Sequence, residues 1–172
     1  MLVRRCLVIL LIMIVFSTCS STKSMKNASD IKPLTKDDFF YRPFGYEPNQ
    51  KNFSTNLPAS YRQQTLTIKN RHNPAIIDTI FRFYHRKNEL FVYKTKTKKE
   101  LFMAGNIYDS KLMLRNGIRV GMTRGDFYKC FKDLNISDKD TLRLISKQAG
   151  NSFHFIFRGN KLNAIKIDND LD

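Results

Sequence analysis

The sequence predicts an α+β domain: an antiparallel β-sheet, built as a meander plus a C-terminal hairpin, with one or two short helices packed on one face. Three observations predict it. From Tyr61 to Ile107, apolar and polar residues alternate in short runs separated by polar turns. One stretch, Gly117 to Phe131, switches to helical spacing. Phe153, Phe155 and Phe157 then line one face of a strand that runs into Gly159-Asn160, a pair of hairpin-turn chemistry. With 172 residues, fourteen Phe and no Trp, the chain suits one domain of ordinary size with a phenylalanine-rich core.

The first element is not part of that domain. Arg4 and Arg5 precede an unbroken apolar run, Cys6 to Phe16, of eleven residues. A membrane-spanning helix needs roughly 20. A basic start, a short apolar run and then small polar residues mark residues 1–18 as a secretory signal peptide, with a retained hydrophobic helix as the alternative. Cys6 leaves with it, and if Cys19 carries lipid Cys130 stands alone, with no partner for an intramolecular disulfide. Cys130 lies at helical spacing with Phe127 and Phe131, which suits a small buried hydrophobe, and no His partner is evident for a catalytic thiol.

Residues 19–36, poor in apolar side chains and carrying several Ser and Lys, read as a flexible tether. Residues 37–60 collect Phe39, Phe40, Tyr41, Phe44, Tyr46 and Phe53 around Pro43, Gly45 and Pro48. They fit neither a helical nor a strand period, so an irregular segment is expected. Its aromatics either pack over the sheet or form a partner-binding loop.

Residues 61–172 form the predicted domain. Strands are expected around Leu66–Ile68, over Ile77–His85, from Glu89 to Thr97 and from Glu100 to Ile107, with Arg71-His72-Asn73-Pro74 as a turn. Within this meander, Lys94, Lys96 and Lys98 would share a face. They read either as a phosphate clamp or as solvent-facing lysines guarding an edge. Ile118 and Val120 suggest a short strand, Gly121 a special backbone angle, and Thr123 with Asp126 a helix N-terminus that runs to about Asp133. Thr141 to Ser146 is the next strand. The hairpin would set Leu162 and Ala164 against Phe157 and Phe155, with a β-bulge after Ala164 and an acidic tail from Asp168.

Two resemblances follow from particular residues. Phe16-Ser17-Thr18-Cys19 resembles the lipobox of bacterial lipoproteins, with Phe16 and Thr18 at positions where that pattern has Leu and a smaller residue. It implies cleavage before Cys19 and acylation of its thiol; ordinary cleavage near Ser20 or Ser21 is the alternative. No acidic residue lies beside Cys19, which, on the same resemblance, implies an outer membrane location facing the periplasm, with the cell membrane as the alternative. Ile118 to Thr123, a short helix, a strand and Phe157-Arg158-Gly159-Asn160-Lys161-Leu162 with Ile165 resemble the repeat unit of the SmpA/OmlA (BamE-like) lipoproteins and of the β-lactamase-inhibitor-protein fold. The likeness covers about a third of the chain and implies the fold and an envelope setting, with no functional residue carried over.

The net charge is +15. Losing Arg4 and Arg5 with residues 1–18 still leaves 28 basic against 15 acidic residues. This balance favours anionic partners or a lysine-rich solvated surface. Nucleic acid would suit the charge but conflicts with export. His72, His85 and His154 show no metal-ligand spacing, no cofactor motif is present, and Asp78 and His85, on opposite strand faces, cannot act as an acid/base pair. The sequence therefore predicts a non-enzymatic, lipid-anchored envelope protein that binds a protein or an anionic envelope component. The alternative is an inhibitor-like module that blocks a secreted or envelope enzyme.

Overall fold

The computed structural model describes residues 32–146 and 150–169. The expected signal peptide, Cys19 and most of the tether lie outside the described residues, as do the last three residues of the expected tail. The domain is α+β. Seven strands, β1 (Arg62–Lys69), β2 (Ile77–His85), β3 (Asn88–Lys94), β4 (Glu100–Ile107), β5 (Thr141–Ile145), β6 (Asn151–Arg158) and β7 (Lys161–Asn169), form one sheet in the order β1-β2-β3-β4-β7-β6-β5. Every ladder is antiparallel. Two meanders are thus joined where Gly105 of β4 pairs with Ile167 of β7.

Three short helices, α1 (Lys36–Tyr41), α2 (Gln50–Asn56) and α3 (Arg124–Lys129), lie against one face. Strand alternation sends Phe83, Leu90, Val92, Phe102, Phe153 and Phe155 to that face, and all six are buried. The Phe39 ring of α1 meets those of Phe131, Phe153 and Phe155 at centroid distances of 5.5, 5.0 and 6.0 Å. Phe53 of α2 meets Phe44, Phe83 and Phe102 at 5.0, 5.4 and 5.8 Å. Phe127 of α3 meets Phe155 and Phe157 at 4.7 and 5.4 Å. Burying a Phe side chain contributes about 1.5–3 kcal/mol, so these three anchors fix each helix far more than the propensity of six or seven residues does.

The segment expected to be irregular is therefore two helices with a Pro-containing link. The Thr35 hydroxyl accepts the Asp38 N–H at 3.0 Å while the Asp38 carboxylate accepts the Thr35 N–H, a capping box. Asn49 caps α2 by accepting the Asn52 N–H at 2.8 Å. Pro43 and Pro48 fall between the helices and interrupt neither. The end of the expected tether packs on the domain: Leu34 is buried, and its N–H donates to the Cys130 carbonyl at 2.9 Å.

Further differences are local. Ile118 to Val120 is not a strand; a 3-10 turn over Arg115–Gly117 precedes it, with Asn116 at φ +59°. The α3 helix stops at Lys129, short of Asp133, and β7 continues through Asp168 and Asn169. The bulge lies before Ala164: Leu162 pairs with Phe157, but Ala164 pairs with Ile156, leaving Asn163 as the extra residue.

Candidate interaction site

The aromatic segment is mostly consumed by the core. Phe39, Phe40 and Phe44 are buried, and Tyr46 packs beside Phe44 and Phe53 with burial pushing its phenol up to about 12. Only Tyr41, 73% exposed, presents its ring to solvent, with the Arg42 guanidinium 5.0 Å from the ring centroid.

The lysine row does not form as expected. β3 ends at Lys94, and it lies inside the sheet between β2 and β4, so it has no free edge to guard. Lys94 is engaged: its ammonium is 3.1 Å from a Glu100 oxygen and 5.7 Å from the Phe81 ring centroid. The other Glu100 oxygen accepts the first N–H of α2, that of Gln50, at 2.8 Å. Lys96 and Lys98 instead lie in the β3–β4 turn. There the Thr95 N–H donates to the Lys99 carbonyl at 2.9 Å, and Lys98 adopts φ +67°.

That turn is tied to the β1–β2 loop by a residue the sequence reading did not single out for this purpose. Asp78, the second residue of β2, is 1% exposed. One carboxylate oxygen accepts the Lys96 backbone N–H at 2.9 Å. The other accepts the Asn70 amide N–H at 2.6 Å and the Tyr93 hydroxyl. Asn70 then uses its own carbonyl oxygen to accept the backbone N–H groups of His72 and Asn73 at 2.9 and 3.1 Å, which shapes the loop. The Tyr93 hydrogen bond first, then that of Asn70, hold the Asp78 carboxyl below the usual range, and the Lys96 N–H adds to this. Tyr93 responds in the opposite direction, its phenol raised chiefly by the hydrogen bond to Asp78.

The consequence is a cationic end of the sheet. Lys69 ends β1, Arg71 comes from the connection after it and Lys96, Lys98 and Lys99 come from the β3–β4 turn, and all five are exposed. Residues 69–77 and 95–99 contain no Asp or Glu. Among the described residues none of the five cations is in an ion pair. One buried carboxylate, whose charge is taken up by three hydrogen bonds, thus holds two loops of like charge side by side. Exposed Ile68 and Ile77 close the β1–β2 ladder at the same end.

Family models, curated proteins and solved structures yield no match to this chain. What the surface can do must be read from its own chemistry. Several titratable groups elsewhere are engaged within the fold. Cys130 is buried, its thiol pushed up to about 11 by burial and then by the Asp126 charge. Arg124 donates to the carbonyls of Ser137 and Lys139 at 2.8 Å each and lies 4.4 Å from the Phe157 ring centroid, fastening α3 to the hairpin. Arg82 is paired with Glu89 and Gln64 and stacks over Tyr84 on the face opposite the helices. His154 lies 3.5 Å from Asp168. Among the described residues no three His, Cys, Asp or Glu come together as a metal site. A cleft of about 350 Å³ opens between α2 and the β1–β2 pair, lined by Phe53, Leu57, Tyr61, Gln63 and Phe83. Its Tyr61 hydroxyl is buried, and burial raises the phenol.

Proposed function

We propose that the chain is an exported, lipid-anchored envelope protein that binds an anionic partner through the cationic end of its sheet and catalyses no reaction. The observation that carries the binding half is the Asp78 junction, which orders five exposed cations at one end of the sheet with no exposed carboxylate among them. A surface of this kind attracts and orients anionic groups over a Debye length of about 10 Å at 0.1 M salt. The envelope half rests on residues 1–19: the basic start, the eleven-residue apolar run and Cys19 after Ser17-Thr18. The likeness of residues 118–165 to the SmpA/OmlA (BamE-like) unit supports the same setting. Among the described residues no helix is long and apolar enough to cross a membrane, so on this reading the attachment is the acylated Cys19 and the domain reaches its partner from the bilayer surface.

The test is fractionation and crosslinking in the native cell. Wild-type protein should sediment with membranes and Cys19→Ala should be released from them. Crosslinking should recover a partner whose yield falls as salt rises. A Cys19→Ala variant that stays membrane-bound would sink the anchor, and a wild-type chain that remains in the cytosol would sink the envelope reading.

A further inference from the structure

The outer edge of β1 is the second unusual surface at this end of the molecule. β1 is an eight-residue edge strand whose residues are all exposed, and among the described residues nothing pairs with its outer side. Edge strands are normally protected by central charges, proline, bulges or brevity. β1 has none of these: its six interior residues, Gln63 to Ile68, are uncharged, it contains no proline, and its register with β2 is continuous. Leu66 and Ile68 are exposed on one face, beside Ile80 and Asp78 of β2. The charges lie only at the two ends, with Arg62 at one and Lys69 and Arg71 at the other.

From this arrangement we propose that β1 is a strand-addition site for an extended partner segment with carboxylates at both ends and apolar residues at alternate positions between them. The backbone N–H and C=O groups of β1 supply pairing that is indifferent to sequence. Leu66 and Ile68 select apolar side chains on one face of the incoming strand, and the terminal cations select its charge. The same cations reject a second copy of this chain. Antiparallel pairing of two β1 strands along their full length brings Arg62 of each against the Lys69–Arg71 end of the other, so like charges meet at both ends with no acidic residue between them. An acid-ended strand relieves both encounters, and its flank beyond Lys69 runs toward the cationic β3–β4 turn. The inference rests on the anionic-partner reading above and names how that partner docks.

The experiment uses the full-length chain purified in detergent and two synthetic peptides with the same alternating Thr-Val centre, one with Glu-Glu at each end and one with Lys-Lys. Wild type should bind the Glu-ended peptide at least tenfold more tightly than the Lys-ended one, and the double variant Arg62→Glu/Lys69→Glu should invert that preference. Hydrogen exchange should slow at the backbone of Gln63 to Thr67 when the Glu-ended peptide binds, a readout that needs no variant and so survives any folding defect. Equal affinity for the two peptides, absence of binding, unchanged exchange in β1, or self-association of the wild type through β1 would each overturn the proposal. A protein that is exported and membrane-bound yet fails these tests loses only the strand-addition site. One that passes them but stays in the cytosol loses only the envelope setting.

Discussion

The Asp78 carboxylate accepts the backbone N–H of Lys96, eighteen residues further along the chain, at 2.9 Å. Together with the Asn70 amide bond to the same carboxylate, this contact joins two surface loops that the strand ladders alone would leave independent, and it places their cations together. Replacing it tests the joint. Asp78→Asn gives the Tyr93 hydroxyl and Asn70 amide a weaker acceptor and removes the charge that both hydrogen bonds favour. The variant should melt several degrees lower near neutral pH and lose partner binding while keeping the sheet, as far-ultraviolet circular dichroism and thermal scans would show.

The same residue sets a pH dependence. Its folded pKa is depressed, so the stabilisation is fully present above the unfolded value, about 3.9, and is lost as pH falls through the folded value. The melting-temperature gap between wild type and Asp78→Asn should therefore be flat above about pH 5 and close as the solution is acidified below about pH 4. A gap that widens on acidification would contradict the assignment.

The aromatic anchor of α2 should behave unlike the exposed ring at the end of α1. Phe53 is fully buried against Phe44, Phe83 and Phe102, and Phe53→Ala should cost about 3–5 kcal/mol in denaturant unfolding. Tyr41→Ala should change stability by less than about 0.5 kcal/mol, since that ring stands in solvent.

Gly105 is held small by its neighbours rather than by its backbone angle. A Cβ there would lie 2.9 Å from Leu90 Cδ2, with the Glu89 carbonyl oxygen and Ile167 Cδ1 each at 3.3 Å. Gly105 is also where β4 joins β7. Gly105→Ala should destabilise by about 1–3 kcal/mol in the same unfolding assay. A neutral result would mean that the junction of the two meanders is looser than the packing implies.

Cys130 should be inert in the folded protein. Its thiol is buried and donates toward the Asp126 carbonyl at 3.3 Å, and burial pushes it up to about 11. A maleimide at pH 8, followed by mass spectrometry of the Cys130 peptide, should give modification in denaturant and essentially none without it.

Part of this was legible in the sequence. The alternation of Ile77 to His85 matches β2 residue for residue, and Thr123 with Asp126 marks the start of α3, where the Thr123 hydroxyl accepts the Asp126 N–H at 3.1 Å. The phenylalanine-rich core follows from composition. Helices α1 and α2 were not legible from periodicity, because six or seven residues hold less than two turns. The Thr35–Asp38 capping pair was the available signal, and the nearby prolines outweighed it. The end of β3 was hidden because a lysine at φ +67° in the following turn has no sequence mark. The Asp78 junction was hidden for a different reason. Its partners Asn70, Tyr93 and Lys96 lie eight, fifteen and eighteen residues away and belong to three different elements, so only the register of β1, β2 and β3 brings them together.

The central claim is that the Asp78-braced loops are where the protein meets its partner. A photo-reactive amino acid placed in the native cell at Arg71, Lys98 or Tyr41 tests it most directly. The account predicts a specific adduct from positions 71 and 98 that disappears at high salt, and none from 41. Adducts from 41 alone, or none from the two cationic loops, would contradict it.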